Sequence, residues 1–310
     1  MAEKVVINEV GLRDGLQIQP KLVTTEGKLE LCQALIDSGV RSFEATSFVH
    51  PKAVPQMADA DALFPRLPKT GGVAYSALVL NDKGYERAMA AGVKSVAIAL
   101  ASTETMNQKN IRMSLDQATT TFAGLMTRAK REGIEARAYI STAMACPYEG
   151  KVPVKVVMDL ADKMVKAGAD KLAIADTIGA SSPAQCEEVF RAVVKEWGAA
   201  RIAAHFHDTR AMGLTLAWVA LQEGVREFDS SIGGLGGCPF APGASGNLAT
   251  EDLVFMLNDS GFDTGVDVAK LRRAVGVAER LTGQRLGGRI TAWWLSQERK
   301  AAAKAAQAAE

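Results

Sequence analysis

One phrase recurs along this chain and limits the folds open to it. A helical stretch ends, a Gly follows, and a short apolar run leads to a polar group. It reads SGVRSFEATS at 38–47, AGVKSVAIALAS at 91–102, EGIEARAYIST at 132–142, AGADKLAIADT at 167–177 and EGVREFDSS at 223–231. A Gly after a helix supplies a left-handed stop without steric strain. The run after it is apolar without alternation, as a parallel strand covered on both faces must be. Strands are expected at 4–12, 42–47, 72–79, 94–101, 135–142, 171–176, 201–207 and 227–232. Between them lie segments with helical periodicity, such as 114–133 and 152–169. Eight strands alternating with helices predict an α/β fold, a (β/α)8 TIM barrel. A doubly wound open sheet is the other layout of this pattern, but it usually carries a Gly-rich dinucleotide turn after strand one; here that turn reads GLRDGLQ.

Beyond about residue 264 extra C-terminal helices are expected. The chain is read as one barrel domain over 1–295 and a helical or frayed tail over 296–310, where ERKAAAKAAQAAE forms helix readily but has no apolar stripe. Basic and acidic residues number 36 and 35, which leaves no concentrated positive field for nucleic acid. Four scattered cysteines do not make a disulfide framework, and no apolar run reaches the length of a membrane span. The chain enters a strand-like run within its first residues, so neither a leader segment nor a location other than the cytoplasm is expected.

Chemistry in such a barrel gathers at the C-terminal ends of the strands. Polar residues expected there are Arg13, Asp14, Glu44, Tyr139, Asp176, Thr177, His205, His207, Asp208, Ser230 and Ser231. Two of the chain's three histidines, His205 and His207, flank Phe206 at a strand end, so alternation puts both on one face. They suit a divalent metal, or else are two hydrogen-bonded histidines. Asp14 is the expected anionic third ligand; the alternative is a local ion pair with Arg13 or a helix cap. The segment SSIGGLGGCPFAPGASGN (230–247) holds six glycines and two prolines, as a loop closing on a ligand would. Within it Cys238 is either an inert small hydrophobe or a proton donor, and Asn247 either caps the next helix or offers its amide oxygen to a metal. His50 reads as an ordinary loop histidine.

Taken together the chain resembles the 3-hydroxy-3-methylglutaryl-CoA lyases of the DRE-TIM metallolyase superfamily, from about residue 5 to about 285. The resemblance rests on GLRDGLQ (11–17), FEATSFVHPKAVPQM (43–57), CPYEGKV (146–152), ADTIG (175–179), HFHDT (205–209) and GGLGGCPFAPGASGNLATEDLV (233–254), in that order. It implies metal-assisted cleavage of 3-hydroxy-3-methylglutaryl-CoA to acetyl-CoA and acetoacetate, as in leucine degradation and ketone-body formation. The implied metal set is Asp14, His205, His207 and Asn247, holding Mg²⁺ or Mn²⁺. Arg13 and Cys238 match catalytic positions, Glu44 and Asp176 match acidic pocket positions, and Gln17, Tyr139 and Thr177 match positions around the acyl group. An acyl-CoA substrate and further copies of the chain, as a dimer or tetramer, are the implied partners; nucleic acid and membrane are not.

Three other readings stand beside this one. A relative could act on another 3-hydroxyacyl-CoA, such as a longer branched hydroxyglutaryl-CoA or citramalyl-CoA. RAMGL after HFHDT, and Ala173 and Ala175 ahead of Thr177, depart from the family's usual residues and bear on that choice. A Claisen-type synthase would carry Glu in place of Leu16 and a C-terminal regulatory domain. A non-haem Fe(II) oxygenase would also use two His and a carboxylate.

Overall fold

The computed structural model describes residues 2–237 and 246–308. Eight parallel strands close into a barrel: β1 (Val6–Glu9), β2 (Ser42–Ser47), β3 (Ala74–Leu78), β4 (Ser95–Ala101), β5 (Glu135–Ser141), β6 (Lys171–Asp176), β7 (Ile202–Phe206) and β8 (Glu227–Ser230). Each pairs with its sequence neighbours, and β8 closes on β1 with Val6 opposite Glu227 and Glu9 opposite Ser230. The expected strands all appear, two with the expected bounds and six trimmed at their ends. The first stops at Glu9, because the chain then winds into a π-helical turn, Gly11–Gly15.

The outer ring is α1 (Thr25–Asp37), α2 (Ala60–Leu63), α3 (Asp82–Ala90), α4 (Glu104–Ile111), α5 (Leu115–Arg131), α6 (Val154–Ala167), α7 (Pro183–Trp197), α8 (Gly213–Gln222) and α9 (Thr250–Asp259). The extra helices α10 (Val268–Thr282) and α11 (Arg289–Ala308) follow. Local sequence sets these boundaries. Ser114 opens α5 and Ser182 opens α7, each hydroxyl accepting from a backbone N–H three residues on while a Gln side chain accepts in return. Gly39, Gly92, Gly133, Gly168 and Gly224, the glycines of the recurring phrase, all take positive φ. The main core lies between barrel and helices. Inside the barrel, buried Leu78, Ala97, Tyr139, Ala173 and Ala203 form a thin apolar layer. Three of the five are alanines, which leaves room for large polar side chains above and below. Among the described residues no helix is long and apolar enough to cross a membrane.

Candidate active site

Arg13 and Asp14 reach the barrel mouth because the chain winds there instead of staying extended. On a helical turn adjacent side chains diverge by about 100° or somewhat less, whereas strand alternation would send them to opposite faces. The turn lies so close to the start of the glycine-rich segment that a methyl group on Gly15 would meet the Ser231 hydroxyl and Leu235. Arg13 is buried and bridges two carboxylates, Nε donating to Glu44 and Nη1 to Asp14. Burial opposes its charge, but Glu44 and Asp14 outweigh burial and raise its pKa. The local ion pair considered for Arg13 and Asp14 is therefore real. It leaves one formal negative charge of the trio unbalanced.

His205 and His207 face that charge from the end of β7, while Phe206 packs outward against Phe190. One ligand atom from each of Asp14, His205 and His207 can be chosen so that all lie within 4.8 Å of one another. The His207 Nε2 to Asp14 Oδ2 distance is 3.9 Å. Adjacent donors on a cation with bonds of about 2.1 Å sit about 3 Å apart, so a small inward movement closes the set. Asn247 completes the ring. It pairs by backbone with His207, and its Nδ2 donates to Asp14 Oδ2 (2.8 Å) and to the Leu235 carbonyl (3.1 Å). It does not cap α9, whose cap is Ala249. Its Oδ1 is buried with no hydrogen-bond partner among the described residues, and a bare amide oxygen is a ligand that a hard cation takes. The donor set fits a divalent cation. Burial works to raise the Asp14 pKa, but Arg13, the two imidazoles and Asn247 outweigh it and lower it, which favours the carboxylate a cation requires.

Beneath His205 lies a residue that sequence reasoning passed over. Asp229 of β8 is buried and accepts from Asn8 Nδ2, Arg137 Nη2 and the Tyr139 hydroxyl, each at 2.7 Å, and from His205 Nδ1 at 3.0 Å. Burial opposes its charge, yet Arg137 and the His205 bond hold its carboxyl well below the usual carboxylate range. Arg137 also reaches Glu227. A signal was available: polar groups two residues apart, Glu227 with Asp229 and Arg137 with Tyr139, stand on strands covered on both faces.

A cavity of about 340 Å³ opens above these residues, lined by Arg13, Asp14, Gln17, Tyr139, Ala175, Thr177, His205 and His207 among others. His50, set aside in the sequence, is on its rim. A larger recess of about 630 Å³ lies at the opposite end of the barrel. Three of its charged residues pair with one another, as Lys171–Glu227 and Arg137–Glu227. Thr177 accepts from the N–H of Thr142, a β-branched residue held at φ 52°; such a backbone costs about 1–3 kcal/mol and fixes the mouth of β5 against that of β6.

Four expected site residues are placed differently. Tyr139 gives its hydroxyl proton to Asp229, so only its ring faces the cavity freely. Asp176 is not part of the cavity lining; its oxygens accept from the N–H groups of Ala180 (3.1 Å) and Ser181 (2.9 Å), and burial raises its pKa against those bonds. Ser230 and Ser231 are buried at the root of the glycine-rich segment, away from the cavity. Arg210 binds the carbonyls of Ile178 and Gly179. Cys238 lies outside the described residues.

Fold and site together define an α/β-barrel protein with a candidate divalent-cation centre at the C-terminal ends of its strands. An Asp-His-His set alone would serve several chemistries, Fe(II) oxygenation included; kinship narrows them. Residues 4–277 match the family model described as HMGL-like, and the chain belongs to that family. It is thereby a carbon–carbon lyase. It is 44% identical over 274 residues to the mitochondrial hydroxymethylglutaryl-CoA lyase of Rattus norvegicus, covering 88% of this chain and 84% of that one. The HMG-CoA lyase of Bacillus subtilis superimposes with a TM-score of 0.91 at 41% identity, over 94% of this chain and 98% of that one. An HMG-CoA lyase from Acinetobacter baumannii, solved with coenzyme A and 3-methylmalate, gives 0.89 at 35% identity over 93% and 94%.

Proposed function

We propose that this chain cleaves 3-hydroxy-3-methylglutaryl-CoA to acetyl-CoA and acetoacetate, using Mg²⁺ or Mn²⁺ held by Asp14, His205, His207 and Asn247. The observation that carries the reading is the convergence of one carboxylate, two imidazoles and the bare Oδ1 of Asn247 beside a buried Arg13. The relatives described above, named as lyases for this thioester, support it over most of the chain.

The cation, when bound, would supply Lewis acidity toward the substrate's hydroxyl and carboxylate oxygens. Loss of the hydroxyl proton lets its oxygen form the ketone of acetoacetate. The bond to the carbon beside the thioester breaks, and its electron pair passes to an acetyl-CoA enolate. Arg13 has Nε and one N–H of Nη1 engaged by Glu44 and Asp14, so its remaining N–H groups, two of them on Nη2, are left to stabilise charge on the thioester oxygen. Glu44 fixes the guanidinium plane from β2. Asp14 lines the cavity and Asp176 does not, so of these two carboxylates Asp14 is the one within reach of the hydroxyl proton. Asp176 in this reading braces the turn that carries Thr177. Gln17, Thr177 and the Tyr139 ring surround the acyl group, and Cys238 returns a proton to the enolate carbon.

Residues 1–295 form the catalytic unit in this reading, and 296–310 lie outside it. The buried unpaired thiols of Cys32, Cys146 and Cys186 fit a reducing cytoplasm. A dimer or tetramer is supported by large exposed side chains on helices that pack together: Trp218 of α8, Phe255 of α9 and Trp293 of α11. The test is incubation of purified protein with 3-hydroxy-3-methylglutaryl-CoA and Mg²⁺. Acetoacetate is expected, and a chelator is expected to abolish it. Metal-independent turnover would overturn the mechanism; cleavage of citramalyl-CoA alone would overturn only the substrate.

A further inference from the structure

The carboxylate under His205 is saturated. Asp229 has about four lone-pair sites facing outward, and four donors occupy them: Asn8, Arg137, Tyr139 and His205. All five side chains are buried, and the set draws on β1, β5, β7 and β8. A carboxylate paired with a buried guanidinium at 2.7 Å is ionised and can only accept. The ring atom that meets it, His205 Nδ1, must therefore carry a hydrogen. The remaining ring nitrogen, Nε2, is then a bare acceptor whenever the ring is neutral. The Tyr139 ring stands edge-on to the His205 ring, with centroids 5.8 Å apart and planes at 89°, and limits its rotation.

We propose that Asp229 is a positioning residue that locks His205 as the Nδ1–H tautomer, leaving Nε2 to ligate the cation, with Arg137 and Asn8 holding the carboxylate in place. The inference rests on the metal-binding reading above and adds a residue acting through His205 without touching substrate. Orienting carboxylates of this kind raise metal affinity by about 10- to 100-fold. A purely structural role for Asp229 would satisfy Arg137 equally well while leaving the tautomer free.

Two measurements test it. In metal-free wild-type protein at pH 8, long-range ¹H–¹⁵N spectra report which nitrogen of each ring is protonated. The chain has only three histidines, and loss of a signal in His205→Gln assigns that ring. His205 is expected as Nδ1–H; an Nε2–H ring overturns the proposal without reference to metal. In Asp229→Asn the neutral amide can donate to Nδ1 and release the lock. Mn²⁺ titration of the substrate-free variant, followed by electron paramagnetic resonance, is expected to show a Kd raised tenfold or more, with an Nε2–H signal appearing. A smaller rise overturns the proposal. Tyr139→Phe removes a different bond to the same carboxylate and is expected to keep Mn²⁺ affinity within about threefold; an equal loss there would assign the effect to packing and overturn it. Should Asp229→Asn fail to fold, the wild-type tautomer decides. Wild-type protein that binds no Mn²⁺ would sink the metal reading, and the tautomer would still test the lock.

Discussion

Glu9 sits at the end of β1 with no exposure to solvent, and its carboxyl group ties the barrel to the root of the glycine-rich segment. Oε1 accepts from the N–H of Gly11 (2.7 Å) and of Ile232 (3.0 Å), and Oε2 accepts from the Thr250 hydroxyl (2.5 Å). Burial is the largest influence and pushes the carboxyl up to about 7 from an ordinary 4.5, against the pull of those three bonds. Between these two pH values the native protein keeps a proton that the unfolded chain has released. The stabilisation is therefore complete below about pH 4.5 and is lost as pH rises through about 7. At about 1.4 kcal/mol per unit, the gap is worth about 3 kcal/mol. Glu9→Gln makes the protonated shape permanent. Its amide oxygen can accept both backbone N–H groups, and its NH₂ can donate to Thr250, whose hydroxyl already shares a hydrogen bond with Ser230. The variant is expected to match wild type near pH 5 and to exceed its stability by about 3 kcal/mol at pH 8.5. Urea unfolding followed by circular dichroism across that range measures the difference, with a chelator present so that cation binding does not enter. A difference that stays flat with pH would refute the claim that burial outweighs the hydrogen bonds at Glu9.

Arg13→Met is expected to lower kcat by two or more orders of magnitude while leaving Mn²⁺ affinity unchanged or tighter, since Asp14 loses its competing partner; steady-state kinetics and a Mn²⁺ titration separate the two. Asp14→Asn removes the anionic member of the ligand set, and isothermal calorimetry is expected to show Mn²⁺ binding weakened more than about 100-fold with the melting temperature of the metal-free protein little changed. Gly39→Ala, by contrast, strikes the fold alone. Gly39 sits at φ 106° and an added methyl would collide with the Gly265 carbonyl, so a loss of about 2–4 kcal/mol is expected in thermal melts, with turnover at low temperature retained.

Much of the architecture was legible because it is written locally. Apolar runs without alternation, helices with capping serines and a Gly after most of the helices specify βα units whatever surrounds them, and their number leaves one barrel as the compact answer. His205 and His207 were readable as a pair for the same reason, since strand alternation is a short-range rule. Arg13 and Asp14 were less so. Their shared direction depends on a π-helical turn that follows β1, and nothing in GLRDGLQ announces that turn apart from its glycines.

Partner choice belonged to the tertiary structure. Asn247 meets Asp14 at 2.8 Å from 233 residues away, and Asp229 gathers donors from three other strands. Tyr139 and Asp176 carry the polar groups expected of the site, but barrel closure turns one hydroxyl toward Asp229 and both carboxylate oxygens of the other toward backbone N–H groups. A side chain's chemical type is fixed by the residue itself, whereas the group it bonds is fixed by strand register and closure, which no local stretch encodes. The sequence alone thus determined which residues could do the chemistry. Only the closed barrel decided which of them face one another.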